Sequence, residues 1–593
     1  MRDVIVVGAG GGGPVVAKEL AAHGLDVLML EAGPRFRDPE AEWSRYENDA
    51  NNPITGYLRF GPSDRSKPAW LREQPQNSAV LQLAGVGGTT VHYYANSPRA
   101  MPGVFMGYKG RDRGAYDRAH PFPFRYSELI PYYEWVESTL PVQTAAMGTK
   151  EALFFRGAER LGLPLNTSKD ISRDSFRPQE NAILQPRGTA GRTSDSRELV
   201  HPKARGCTFC GHCFQGCIEP RRAPRNLKAK RSTDNSYVPM ALTADRWARG
   251  GKPIQLRTDA FVTQVLFQQE GSQTIARGVR WRDSRTGELF EEDAKVVVMA
   301  GGCTEDPRLW LNSGLPNPNG WVGRGYTNHF FDWVIGKFDE NTGNSKGTAS
   351  SARADFPGRG GIENAGFGPA MQAAVTQLSD SGIRGFYTNR SGPTGPWDGR
   401  AGRIIGPELK ELLSDVDRLL NVLVITDDDV EAQNRIVRSS FPADEHGPIP
   451  KVIFKRGRRS RRTVGNREFL AREAARLLRA AGAKEVYRID WAPLMLHVQS
   501  TMRMGHDPHD SVLRPSGEAR FVKRLFVASN SALPNALGGP NPTLTTQALA
   551  TRTAEKLFRK YFDGEPFVKR QSPVSSIDDR VTKAVLEGRY ETT

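Results

Sequence analysis

The sequence predicts an α/β chain, α+β when taken whole, whose opening unit is a parallel sheet flanked by helices. Three observations carry this expectation: an apolar strand at the N-terminus, a glycine-rich turn running straight into a helix, and a second apolar strand ended by an acid. At 593 residues the chain exceeds the size at which one hydrophobic core stops growing, so two or more units are expected.

Asp3-Val4-Ile5-Val6-Val7 is a continuous run of the kind buried on both faces of a parallel sheet. It enters Gly8-Ala9-Gly10-Gly11-Gly12-Gly13, then Pro14 and a helical stretch to His23, ended by Gly24. Pro14 suits a first helical turn, where its missing N–H is not needed. Val27-Leu28-Met29-Leu30 is the second strand, and Glu31 stands 18 positions after Gly13. Each part has a physical purpose. Gly8 permits the tight turn, Gly10 lets the backbone approach a pyrophosphate, and Gly13 allows close helix–strand packing. The helix N-terminus offers N–H donors to phosphate, and Glu31 can accept from ribose hydroxyls. This is a Rossmann-like dinucleotide unit. The motif alone does not choose between NAD and FAD.

Composition narrows the rest. Hydrophobic residues make up 38% and charged residues 25%, which suits a packed globular chain and not a disordered one. No apolar run reaches the roughly 18 residues of a membrane span. Val296 to Met299 and Leu419 to Ile425 are strand-sized. Lys and Arg number 82 against 66 Asp and Glu, a net charge of +16 that favours acidic partners. The two basic runs, Lys455 to Arg462 and Arg221 to Arg231, interleave no aromatic residues and match no nucleic-acid motif. They read as solvated surface, with docking of an acidic protein as the alternative. The N-terminus opens on a strand without a signal-peptide pattern, so a cytoplasmic location is expected, or export together with a signal-bearing partner.

Four further blocks follow in order. Leu83-Ala84-Gly85-Val86-Gly87-Gly88-Thr89-Thr90-Val91-His92 is a second glycine-rich segment. His497-Val498-Gln499-Ser500-Thr501-Met502-Arg503-Met504-Gly505, Leu525 to Pro534, and Gly538-Gly539-Pro540-Asn541-Pro542-Thr543 come near the far end. With Met299-Ala300-Gly301-Gly302 and Val322-Gly323-Arg324 before His329, the chain resembles the glucose–methanol–choline (GMC) family of FAD-dependent alcohol oxidoreductases over nearly its whole length. The resemblance implies an FAD-binding domain assembled from about 1–100, 200–330 and 495–565. It also implies a substrate domain with an antiparallel sheet from 101–199 and 331–494, leaving 566–593 as a polar tail. Within the substrate domain, Asn341 to Gly368 is Gly/Ser/Asn-rich and reads as a loop. Phe469 to Ala481 reads as an amphipathic helix stopped by Gly482.

The resemblance further implies that Gly8, Gly10, Gly13 and Glu31 hold the ADP half of FAD, with Val262 near the adenine. Gly87 and Gly88 would follow the pyrophosphate and isoalloxazine, and Pro542 and Thr543 would face the ring. Ser529 and Asn530 fall in the phosphate-side segment, where the family often carries an acid in place of Ser529. Alcohol oxidation needs a base for the hydroxyl proton and an acceptor for hydride. In the family's paired positions stand His497 and Asn541. Asn cannot take the proton, so His497 is the expected base and Asn541 the group that orients the alcohol oxygen. The His92 segment is similar to the one that carries a histidyl-linked flavin in pyranose oxidase; here packing beside a non-covalent flavin is expected. The substrate expected is an alcohol, sugar or polyol, with electrons passing to a non-oxygen acceptor such as an acidic carrier protein or small subunit. A hydrogen-peroxide-producing oxidase is the alternative, and a nucleotide-binding electron-transfer protein without its own substrate is a third reading.

Cys207, Cys210, Cys213 and Cys217 lie within eleven residues, with only Cys303 remote. Their C-x-x-C-x-x-C-x-x-x-C spacing matches the ferredoxin-type run that ligates iron–sulfur clusters, although Ile218 and Glu219 separate the last Cys from Pro220. An iron–sulfur cluster, a structural zinc, and disulfides or free thiols bracing a loop are three readings of this run. Short Cys-rich runs also occur in long-chain alcohol oxidase relatives, where no cluster need follow.

Overall fold

The computed structural model describes residues 1–35, 79–80, 82–110, 115–145, 147–185, 206–214, 216–217, 225–378, 395–398, 406–454, 459–489 and 494–587. The opening strand Arg2–Val7 pairs in parallel with Val27–Leu30 on one side and with Leu289–Met299 on the other. Gln255–Arg257 and Leu525–Val527 extend the two edges, both parallel. Strands drawn from widely separated stretches of sequence therefore form one layer. Leu289–Met299 serves two layers. Its first half pairs antiparallel with Gln273–Asp283 and is partly exposed, while Val296 to Met299 are fully buried against the opening strand. The first helix, Gly13–Ala22, carries Pro14 in its first turn as expected and packs its valines into this core.

A second, six-stranded sheet runs in the order Glu485–Ile489, Asp332–Lys337, Leu419–Thr426, Gly360–Ala365, Ala352–Phe356, Ser175–Pro178, antiparallel throughout. Side chains alternate between its faces, as a period of two requires. Val334, Leu420, Val422 and Val424 turn to one face, where Arg461–Ala481 covers them with Leu470, Ala474, Leu477 and Leu478. Trp333, Ile335, Leu423 and Ile425 turn to the other. Burying each such aliphatic side chain stabilises by about 1.5–3 kcal/mol. The covering helix starts eight residues before the amphipathic stretch because Ser460 Oγ accepts from Thr463 N at 3.0 Å. Gly482, at φ +107°, ends it as expected.

Three expectations are corrected. Residues 341–368 are not a single loop: they hold the hairpin Ala352–Phe356 and Gly360–Ala365, buried throughout. Its polar side chains enter the interior because they are paired there: Arg353 with Asp355 and Glu363, and Asp355 also with Arg177. Residues 566–587 of the tail fold back on the chain, with Phe567 and Ile577 buried. A helix, Asp579–Leu586, is capped by Asp578 and packs on Tyr237–Leu242 and Ala244–Trp247. Finally, the described parts of the basic runs are largely packed in: Lys228, Lys230, Arg231 and Arg459 are buried and Arg462 half-buried, while Arg461 is exposed. Lys230 Nζ donates to the carbonyls of Val91 at 2.7 Å and Tyr93 at 2.9 Å, and Arg462 pairs with Asp427 at 2.8 Å and Asp429 at 2.6 Å. Arg221, Arg222 and Lys455 to Arg458 lie outside the described residues. Among the described residues no helix is long and apolar enough to cross a membrane.

Candidate active site

The glycine turn behaves as its residue types require. Gly8 leaves the first strand at φ +104°, and a Cβ there would stand 2.6 Å from the Ala300 carbonyl oxygen. At Gly13 a Cβ would lie 2.0 Å from Gly8 O, which is the close helix–strand contact expected. Gly10 is open on the cavity side, with nothing nearer than Gly88 Cα at 4.0 Å, leaving room for a pyrophosphate. Gly12, which the motif did not single out, is the tightest: a Cβ would sit 1.7 Å from Ala528 O. The following helix has no acid in its first turn and no side-chain cap, so its N–H donors stay available to an anion. Gly87 N donates to Ala9 O at 2.8 Å, which lays the second glycine segment against the first.

Glu31 is buried, and its carboxylate accepts from Ala9 N at 2.7 Å and Gly33 N at 2.9 Å. Burial pushes its carboxyl above the usual range, against these backbone bonds. Its remaining lone pairs face a cavity shared with Val262. Ser529 carries no charge, yet an acid is present all the same. Asp306, from the helix Gly302–Asn312, accepts from Ser529 Oγ and Ser531 Oγ at 2.6 Å each and from Gly301 N at 2.8 Å. Burial pushes its carboxyl up to about 6. These residues fit FAD: a glycine cradle, an unopposed helix N-terminus and buried carboxylates at the nucleoside end.

The cradle opens into a second cavity. Gly10, Gly88, His92, Ser529, Asn530, His497, Asn541, Pro542 and Thr543 all line it, bringing the two terminal motifs and both glycine segments together. Glu31 and Val262 face the first cavity, while Gly8, Gly10 and Gly88 border it too. Tyr93, Tyr94, Phe214, Phe331, Trp333 and Leu423 form the apolar wall of the second. His92 Nδ1 donates to Phe214 O at 2.9 Å, packed against the cavity. His506 and His509 are exposed in a turn outside it, as their sequence context predicts.

Hydrogen bonds fix the proton positions at His497. Ala536 O can only accept, so the contact at 3.0 Å puts a hydrogen on His329 Nε2. Burial holds the His329 pKa down to about 3, so this ring is neutral and its Nδ1 keeps a lone pair. His329 Nδ1 stands 2.9 Å from His497 Nδ1, which must then be the donor. Gln499 Nε2, 3.2 Å from His329 Nε2, donates instead to His497 O at 3.1 Å. The result is a lone pair on Nε2 of His497. Burial, His329 and Arg353 hold the His497 pKa well below its ordinary value. Asn541 is oriented as firmly: Oδ1 accepts from Arg353 Nη1 at 2.9 Å, which leaves Nδ2 as the donor. A base with an open lone pair and an amide donor therefore line one cavity.

Arg353, Glu363, Asp306 and the relay role of His329 were missed by sequence reasoning. Arg353 and Glu363 sit directly opposite each other across the hairpin. The alternation in Ala352-Arg353-Ala354-Asp355-Phe356, followed by a Pro-Gly turn, was the available signal.

The cysteine run packs behind the cavity wall through Phe214. No disulfide joins its cysteines, and burial pushes the Cys213 thiol up to about 11 against the pull of Lys230. Phe209 N and Lys230 N donate to the sulfurs of Cys207 and Cys217, both at 3.4 Å. Among the described residues no group of three or more His, Cys, Asp or Glu is placed to hold a metal ion. The expected ligand set of Cys207, Cys210, Cys213 and Cys217 is not assembled in this arrangement.

Comparison with known proteins agrees with this geometry. Models of the GMC oxidoreductase family match residues 175–331 and 431–550, and an FAD binding domain model matches 3–45. The chain is 26% identical to 2-methyl-1,2-propanediol dehydrogenase of Mycolicibacterium austroafricanum, covering 95% of this chain and 96% of that one. It is 24% identical to the fructose dehydrogenase large subunit of Gluconobacter japonicus (95% and 98%) and 25% identical to paromamine 6'-oxidase of Streptomyces fradiae (93% and 90%). The crystal structure of pyridoxine 4-oxidase from Mesorbium loti shares the fold, with a TM-score of 0.55 at 16% identity over 95% of this chain and 100% of that one. With these matches laid on the two glycine segments and the cavity they border, the chain belongs to the GMC family of FAD-dependent oxidoreductases that act on alcohol or sugar CH–OH groups.

Proposed function

We propose that the chain oxidises a hydroxylated substrate, a polyol or sugar alcohol, with His497 Nε2 taking the hydroxyl proton, and that the electrons leave to an acceptor other than oxygen. The observation that carries this is the directed chain from Ala536 O through His329 to His497, in the same cavity as the Asn541 amide. Asn541 Nδ2 donates to the alcohol oxygen and stabilises the negative charge that grows there as the proton leaves. The aromatic wall excludes water and holds the carbon skeleton against the ring. FAD, when bound, supplies a two-electron hydride acceptor. We expect it to be held without a covalent bond to His92: acid precipitation should leave the flavin in the supernatant, and yellow colour in the washed pellet would reverse this.

The dehydrogenase reading is supported by two relatives named as dehydrogenases, each spanning nearly the whole chain. Relatives named as oxidases favour the second reading, direct reduction of oxygen to hydrogen peroxide. No electron step is routed through the cysteine run, whose sulfurs are not a metal-holding group as they stand. Anaerobic mixing with sugars, polyols and apolar alcohols tests the proposal, followed by reoxidation with oxygen against a quinone. Bleaching by polyols with slow reoxidation by oxygen is expected. Bleaching by no alcohol would leave only a nucleotide-binding electron-transfer protein.

A further inference from the structure

We propose that Glu363 determines specificity in this cavity: its Oε1 accepts a hydrogen bond from a hydroxyl on the carbon adjacent to the one oxidised, selecting vicinal diols and polyols over simple alcohols. The inference rests on the alcohol-oxidising reading above and names the substrate feature that reading leaves open.

Glu363 is 1% exposed and lines the cavity with Asn541 and His497. Its two oxygens are used unequally. Oε2 accepts from Asn96 Nδ2 at 3.1 Å, Gln179 Nε2 at 3.2 Å and Arg353 Nη1 at 3.3 Å. Burial raises its carboxyl above the usual range, while Arg353, Gln179 and Asn541 pull against it, and the three donors converging on Oε2 fix the orientation of the group. Among the described residues Oε1 has only Asn541 Nδ2 at 3.5 Å, beyond the usual range for such a bond. A donor and an under-used acceptor thus stand side by side at the place where the alcohol oxygen is to be held. In a gauche vicinal diol the two oxygens lie about 3 Å apart. One can accept from Asn541 while its neighbour donates to Glu363.

Charge selects a hydroxyl over an ammonium group. Arg353 already compensates Glu363, and its positive charge also bears on His329 and His497. A second cation would meet that field without an uncompensated partner. A purely structural role as counter-ion to Arg353 would affect all substrates alike.

The test uses alcohols with one oxidisable carbon each: 2-methyl-1,2-propanediol, its tertiary methyl ether 2-methoxy-2-methyl-1-propanol, and 2-amino-2-methyl-1-propanol in its ammonium form. Flavin reduction by the wild-type holoenzyme should favour the diol over both others by about 10²-fold or more in kcat/KM, since a site built to bond a hydroxyl rejects analogues lacking it. In Glu363→Gln the three donors keep the amide oxygen at the Oε2 position and place NH2 at Oε1. That donor serves hydroxyl and ether oxygens equally, so the diol-to-ether ratio should fall to within a few-fold of unity. Wild-type protein that reduces its flavin with the ether as readily as with the diol overturns the proposal, even if the variant fails to fold. A variant that keeps the wild-type ratio also overturns it. Flavin reduction by none of the alcohols overturns the alcohol-oxidising reading itself, a result distinct from reduction without discrimination.

Discussion

A single proton position decides what His497 can do. With Nδ1 donating into His329, the lone pair on Nε2 is available without any prior ionisation. Replacing His497 with Ala removes the base but none of the residues assigned to the nucleotide. His497→Ala should therefore keep its yellow flavin and slow flavin reduction about 10²-fold or more. Near-normal reduction at every pH would remove His497 from the role. The pH profile follows from the same burial. A base must be unprotonated to act, and burial, His329 and Arg353 together hold His497 well below the ordinary value of 6.5. The acid limb of kcat/KM for flavin reduction should accordingly lie well below the ordinary 6.5, with a flat profile above it. A limb at 6.5 or above would mean that the imidazole is more solvated than the cavity implies. Acid should also weaken the fold. His329 is depressed to about 3, so its contribution is complete above 6.5 and is lost as pH falls from there towards 3.

Elements differ in how much of them their sequence discloses, and the reason is physical. The strand–turn–helix at the N-terminus is legible because backbone geometry dictates its residue types: only glycine tolerates Gly8's φ and the contacts at Gly12 and Gly13. The long covering helix is legible through its period and its Gly482 stop, while its true start depends on the Ser460 cap. The hairpin at 352–365 is not, because charged residues suggest solvent until their partners are known. Arg353 gains its place only from Glu363, Asp355 and Asn541, and Asn541 lies 188 positions away. Asp306 is hidden in the same way. It stands on the helix Gly302–Asn312 and ties down the segment 529–531, where a charged side chain was looked for locally. Asp306→Ala would leave one of the two hydroxyl donors of Ser529 and Ser531, which lie 2.7 Å apart, and the Gly301 N–H without an acceptor, each loss costing about 1–3 kcal/mol. The variant should bind FAD at least about 10-fold more weakly in a fluorescence titration and melt at lower temperature. Unchanged affinity would show that this tie shapes the fold without shaping the nucleotide site.

On the scale of the whole molecule, the two sheets meet at the cavity, and the alternating face of the antiparallel sheet supplies Trp333 and Leu423 while its hairpin supplies Glu363. A flavin bound beside this cavity would be walled by these side chains, and its electrons would leave to a partner protein at the surface or to a small diffusible acceptor. The net charge of +16 bears on which one works best. An acidic carrier protein is attracted over roughly a Debye length, about 10 Å at 0.1 M salt and about 3 Å at 1 M, whereas a neutral quinone feels no such field. Stopped-flow oxidation of the reduced enzyme should therefore separate the two. The second-order rate with an acidic one-electron carrier is expected to fall about 10-fold or more between 10 mM and 500 mM salt, as for electrostatically steered association. With a neutral quinone it should change less than about two-fold, because no long-range attraction is there to be screened. If the carrier's rate is indifferent to salt and oxygen reoxidises the flavin faster than either acceptor, the net positive charge has no part in electron delivery, and the chain is an oxidase.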